Sequence, residues 1–191
     1  DTTLTPREIV PERGPSQLRN ALEWVAVIVG AVVIALLVRN FVVQSFQIPS
    51  GSMHSTLIEG DRVLVNRLSY RLHDINRGDV IVFSRPESAP AGPGEPEDLI
   101  KRVIALPGET IEARDGKVYV DGEAINEPYL DSGTTTTNLD EPVKVPEGEV
   151  FVMGDNRGNS SDSRFIGTIP EDSVVGRAFA IIWPLSRFSG L

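Results

Sequence analysis

From Trp24 to Val38 the chain reads WVAVIVGAVVIALLV without a charge, and after Arg39 and Asn40 the apolar character resumes at Phe41, Val42 and Val43. Counted through Val43 the run is 20 residues. As a helix it measures about 30 Å at roughly 1.5 Å per residue, the thickness of a bilayer's hydrocarbon core. The pattern predicts one membrane-crossing helix over residues 21–43. A cleavable leader competes, but leaders end in small residues of the A-x-A kind, whereas this run leads into VVQSFQIP. Arg39 is read as a long side chain snorkelling to the interface rather than as an intramembrane functional charge.

Beyond Pro49 the pattern changes to short runs rich in Val, Ile and Phe, punctuated by Gly, Pro and Asp: DRVLVNRL, GDVIVFS, DLIKRVIAL, GKVYVDG and GEVFVMG. These predict strands and a mainly β domain over residues 44–191. Asp115-Gly116 and Asp121-Gly122 flank KVYV as tight-turn signals, so residues 110–126 are expected to form a small antiparallel meander. The Pro- and acid-rich stretch 86–97 and the polar stretch 131–141 are expected to be surface loops without chemistry of their own. The final AFAIIWPL is expected to be a last core strand or a membrane-facing apolar surface.

Charge adds an orientation. Arg7, Arg13 and Arg19 precede the apolar run while only Arg39 lies close behind it, which places residues 1–20 in the cytoplasm and residues 44–191 outside. That outer part holds 14 basic and 23 acidic side chains, a balance that argues against nucleic acid as a partner. The chain has no cysteine, which excludes a disulfide scaffold, a thiolate metal site and a cysteine nucleophile.

Candidate chemistry centres on PSGSM. Pro49 and Gly51 restrict and then free the backbone around Ser50 and Ser52, so hydroxyls and N–H groups can converge there, although a Ser/Gly turn is commonly just a turn. A serine nucleophile needs a base. Of the two histidines, His54 lies two residues after Ser52 and His73 sits in a loop, and neither has an identifiable carboxylate to orient it. Of the three lysines, Lys117 and Lys144 occupy turn-like, solvated contexts, whereas Lys101 alternates with Leu99, Val103 and Ala105 in DLIKRVIAL. It is either an edge-strand lysine reaching water or an amine desolvated among apolar neighbours, which lowers its proton affinity and suits it to act as a base.

Four segments decide between these readings: FQIPSGSMHSTL at 46–57, GDRVLVNRLSYRL at 60–72, RGDVIVF at 77–83 with DLIKRVIALPGE at 98–109, and GDNRGNSSDSR at 154–164. In this order they resemble the sequence boxes of bacterial type I signal peptidases, in the version with a single membrane anchor. The resemblance implies Ser52 as nucleophile and Lys101 as base. It implies Ser50 and the Ser52 N–H as oxyanion donors, and Ser160 as the hydroxyl that orients the Lys101 amine. Arg102, Asp155, Asp162 and Arg164 follow as structural support, and Phe46, Ile48, Met53, Leu57, Val82, Leu99 and Ile100 as the lining of shallow pockets for small substrate residues at −1 and −3. It further implies a mainly β catalytic fold with a short β extension, no metal or organic cofactor, signal peptides of exported preproteins as substrates, and a lipid bilayer and the secretion machinery nearby. A self-cleaving repressor of the SOS type would share the dyad, but it lacks a membrane span and carries a DNA-binding helix pair. A non-catalytic, membrane-tethered binding module would leave the dyad and its supporting serines without a use.

Overall fold

The computed structural model describes residues 17–87 and 89–191. The expectations resting on Arg7 and Arg13 lie outside the described residues, as does the side chain of Arg39. The chain divides into a helical unit ending at Arg39 and a β unit from Asn40 to Leu191.

The helical unit is α1 (Gln17–Phe41). Its window Arg19–Leu36 is long and apolar enough to cross a membrane, and none of it is buried. Trp24 and Ile34 stand 69% and 63% exposed. A helix that is apolar on all sides gains little from packing one face on a core and suits a solvent that is itself apolar. The expected boundary at Val43 shifts. Val42 follows the end of α1, and Val43 opens the first strand, where it pairs with Asn66. An apolar count cannot separate the end of an apolar helix from the start of a β-branched strand, and valine suits both.

Twelve strands follow among the described residues: β1 (Val43–Gln47), β2 (Arg62–Asn66), β3 (Val80–Ser84), β4 (Asp98–Ala105), β5 (Thr110–Arg114), β6 (Lys117–Val120), β7 (Glu123–Ala124), β8 (Val143–Lys144), β9 (Glu149–Met153), β10 (Ile169–Pro170), β11 (Val174–Trp183) and β12 (Ser189–Gly190). The protein is mainly β, as expected. One antiparallel sheet runs β1-β2-β11-β3-β4-β9-β10, with β12 on β11, and a smaller one runs β7-β6-β5-β8. The meander forms as the sequence predicts. Asp115-Gly116 and Asp121-Gly122 both take positive φ at both positions, the geometry that lets a two-residue turn match strand twist.

The apolar runs are strands buried on both faces. In β3, Val80 and Val82 enter one core with Ile48, Met53, Leu57, Val63 and Val65, while Ile81 and Phe83 enter a second with Val103, Val150 and Val152. A third core, around Ile104, Ile111, Val118 and Phe151, joins the small sheet to β4 and β9. Alternation along a strand thus feeds separate cores and fixes register, because a one-residue slip would exchange their contents. The last long strand, β11, is a core strand as expected: it buries Ala178 and Ile181, while Phe179 and Trp183 are exposed.

Candidate active site

The turn that carries Ser52 is held from below. Ser50 is extended, Gly51–Met53 form one 3-10 turn closed by His54 N–H donating to Gly51 O at 3.0 Å, and Leu57 N–H donates to Met53 O at 2.8 Å. Met53 and Leu57 are fully buried and anchor the turn in the first core. Asn156 grips it from the side, donating from Nδ2 to Gly51 O at 2.9 Å and from its backbone N–H to Ser52 O at 3.1 Å. Gly154 must be glycine here, since a Cβ would lie 2.3 Å from Ser160 Oγ and 2.4 Å from Ser52 O. With both carbonyls occupied, Ser52 is fixed to within the tolerance of several short hydrogen bonds.

Lys101, on β4, reaches this turn. Its Nζ donates to Ser52 Oγ at 2.8 Å and to Ile100 O at 2.9 Å, and the residue is 2% exposed. Burial pushes the amine down to about 8. Asp162 pulls it back up, Arg85 pushes it down, and Asp155 pulls it up. Desolvation disfavours the ammonium, so the amine is partly neutral near neutral pH. His54 is exposed, and His73 sets Nδ1 against Asp74 O with its ring edge-on to Tyr70, so neither takes the place of Lys101 beside Ser52.

Alternation sends the next side chain, Arg102, the other way. It forks onto Asp155 at 2.9 and 2.7 Å, donates to Gly78 O and to Thr56 Oγ1, and lies 4.0 Å from the centre of the Tyr129 ring. Thr56 donates in turn to Asp155. Asp162 accepts two bonds of 2.8 Å from the Arg164 guanidinium and one of 2.9 Å from Gly154 N–H. These pairs brace the strand end and loop that carry Lys101 and Ser160. A third pair escaped sequence reading: Arg157, fully buried, is held by Glu127, Thr136 and Gly154 O. Arg157 and Asn156 lie inside the quoted GDNRGNSSDSR, but their partners are too distant in sequence to be read from it. The stretch 131–141 is likewise not inert, since Asp131 accepts from Ser55 and Thr136 from Arg157.

Two expectations are corrected. Ser160 Oγ is buried beside Gly154 without a hydrogen-bond partner, and the Lys101 amine bonds Ser52 and Ile100 O instead of Ser160. Met53 and Leu57 are fully buried in the first core and do not border the groove formed by the other expected lining residues. The other expected lining residues, Phe46, Ile48, Val82, Leu99 and Ile100, do border one groove of about 290 Å³, with Pro96, Glu97 and Asp98 at its edge. A neighbouring cleft of about 530 Å³ holds Ser50, Ser52 and Lys101 and is walled by Arg85, Ala89, Pro90, Glu95, Asn159 and Ser161. The loop at 86–97, expected to carry no chemistry, therefore faces the dyad. A larger depression, bordered by Arg67, Tyr70, Arg71 and Glu171, contains no comparable nucleophile and base.

Relatedness gives the class of protein to which this site belongs. Residues 21–183 match the family described as "Signal peptidase, peptidase S26", and the chain belongs to that family. It is a peptidase of the serine class. It is 42% identical over 184 residues to "Probable signal peptidase I-1" of Synechocystis, covering 93% of this chain and 90% of that one. It is 37% identical over 177 residues to "Signal peptidase I T" of Bacillus subtilis, covering 87% of each. A crystal structure of a signal peptidase I from Enterococcus faecalis is 32% identical and covers 55% of this chain and 97% of that one, with a TM-score of 0.44.

Proposed function

We propose that this protein removes signal peptides from exported preproteins with Ser52 as nucleophile and Lys101 as general base, cutting after small residues at −1 and −3. The observation that carries the reading is the 2.8 Å contact between Lys101 Nζ and Ser52 Oγ in a buried setting. A neutral amine takes the hydroxyl proton as Oγ attacks the scissile carbonyl carbon. The tetrahedral oxyanion is met by the Ser50 hydroxyl and by the Ser52 N–H, which lies where a 3-10 turn has no internal acceptor for its first donors. The same ammonium then gives its proton to the leaving amine, and water hydrolyses the acyl-enzyme. The chemistry calls for no metal or organic cofactor.

Phe46, Ile48, Val82, Leu99 and Ile100 support an apolar, shallow site for the −3 and −1 side chains, and an extended substrate there pairs through its backbone. The apolar α1 anchors the chain in the cytoplasmic membrane with residues 1–20 inside and the β unit outside, close to the secretion machinery. Lys117, exposed in a chain without cysteine, reports the side: Lys117→Cys in intact cells reacts with a membrane-impermeant maleimide, and reaction only after permeabilisation refutes the orientation. The dyad is tested by preprotein cleavage with folded variants. Ser52→Ala and Lys101→Arg are expected to be inactive and His54→Ala active; an active Lys101→Ala with an inactive His54→Ala would return the chain to a histidine base.

A further inference from the structure

The connection between β3 and β4, residues 85–97, is tied to one side chain. Arg85 donates from its backbone N–H to Glu97 O at 2.8 Å and from Nε to Pro96 O at 3.0 Å, and its Nη2 pairs with Glu95 Oε2 at 2.9 Å. The same carboxylate oxygen accepts from Gly92 N–H at 3.3 Å. The Arg85 side chain is only 15% exposed, that of Glu95 54%. A proline- and glycine-rich loop left to itself would sample many conformations; this one is drawn together at both ends by one guanidinium. So held, it presents Ala89, Pro90, Glu95 and Pro96 to the cleft that contains Ser52 and Lys101. Pro96 and Leu99 also border the apolar groove, whereas Arg85, Ala89, Pro90 and Glu95 do not. An extended substrate with its residues before the scissile bond in the groove brings the residues after it against this wall.

We propose that the Arg85–Glu95 pair holds the β3–β4 loop as a wall of the dyad cleft, and that this wall selects the substrate residues at +1 and +2. The inference rests on Ser52 and Lys101 being the catalytic dyad. Arg85 is a positioning residue. While the pair is intact its charges offset and the wall presents a nearly neutral, apolar face. Without Arg85, Glu95 becomes an uncompensated carboxylate beside the first residues of the mature protein and repels acidic side chains there. Arg85 shares the cleft lining with Lys101 and lowers the proton affinity of its amine, whereas Asp162 and Asp155, paired with Arg164 and Arg102, raise it.

The test uses the full chain in mild detergent and preproteins that differ only in carrying Ala, Lys or Asp at +2. Arg85→Gln is expected to raise KM more than it lowers kcat. It is also expected to lower kcat/KM for Asp relative to Lys by roughly 25-fold, about fivefold from repelling Asp and about fivefold from attracting Lys, the effect of one unit charge at about 4 Å in water. Glu95→Gln is expected to shift the same ratio in the opposite direction, a reversal that general loss of fold cannot produce. The double variant and Arg85→Lys are expected to return it toward the parent's value, and Arg85→Gln to move the midpoint of the pH profile upward. Unchanged Asp-to-Lys ratios in both single variants overturn the wall while leaving the dyad standing. A Ser52→Ala form that still cuts overturns the dyad itself.

Discussion

Lys101→Met is expected to stabilise the protein at neutral pH and to lose that advantage as pH rises. The folded chain holds the amine at about 8 against an ordinary 10.5. Between those values the unfolded chain binds more protons than the folded one, so parental stability climbs with pH across that window. Below about pH 8 the whole penalty is present, roughly 3 kcal/mol at 1.36 kcal/mol per pKa unit, and above about 10.5 it is gone. Methionine fills a similar volume without a charge, but removes the bonds to Ser52 Oγ and Ile100 O, about 1 kcal/mol each. The absolute gain is therefore smaller than the penalty, and the informative quantity is how the difference between the two chains changes with pH. Burial also raises Tyr70 and Tyr129, whose unfolded forms ionise near pH 10, but both occur in both chains and cancel. Urea unfolding in mild detergent at pH 7 and pH 10, followed by Trp183 fluorescence with Trp24→Phe in both chains, measures that difference. It is expected to fall by about 2 kcal/mol on going to pH 10. A difference that stays constant would mean that the Lys101 amine is not desolvated, and the argument for it as a base would fail with it.

Turnover carries the same titration with the opposite reading. At low substrate, kcat/KM is expected to rise about tenfold per pH unit below pH 8 and to level off above it, since only the neutral amine accepts the Ser52 proton; a profile flat from pH 6 to 9 refutes the assignment. Asp162→Ala strands the buried Arg164 guanidinium and the Gly154 N–H, and thermal unfolding is expected to report a loss of about 3–5 kcal/mol together with lower activity. Gly154→Ala drives a methyl into Ser160 and the Ser52 carbonyl, so cleavage is expected to be abolished; a variant with parental kcat would show that the turn tolerates displacement.

What could be read from the sequence was whatever a local pattern dictates. GDVIVFS announces a strand because every position from Val80 to Phe83 is apolar, and such a run is satisfied only when both faces are covered. The Asp-Gly pairs specify their turns because each needs two left-handed residues in succession. The limits are equally physical. Arg102 and Asp155 are 53 positions apart, and Arg157 and Glu127 30, so no local pattern announces either pair. Met53 and Leu57 belong to the same apolar set as Phe46 and Ile48, and only the direction of the turn after Ser52 decides that they fill the core instead of the groove.

Alternation singled out Lys101 as a charge on an apolar face, yet that argument fits its neighbour as well, because Arg102 is buried too. Their partners separate them. Arg102, Arg157 and Arg164 each contact a carboxylate directly, whereas Lys101 bonds a hydroxyl and a carbonyl. A guanidinium keeps its proton when buried, so each arginine permanently offsets the carboxylate it holds. Asp155 and Asp162 attract the Lys101 proton, but each has an arginine on it, and burial outweighs what remains of their pull. The arginines therefore act at a distance from the reaction. By occupying the two aspartates they leave the amine beside Ser52 as the cation that can give up its charge, and removing Arg102 or Arg164 is expected to raise the proton affinity of Lys101 as well as loosen the fold around it.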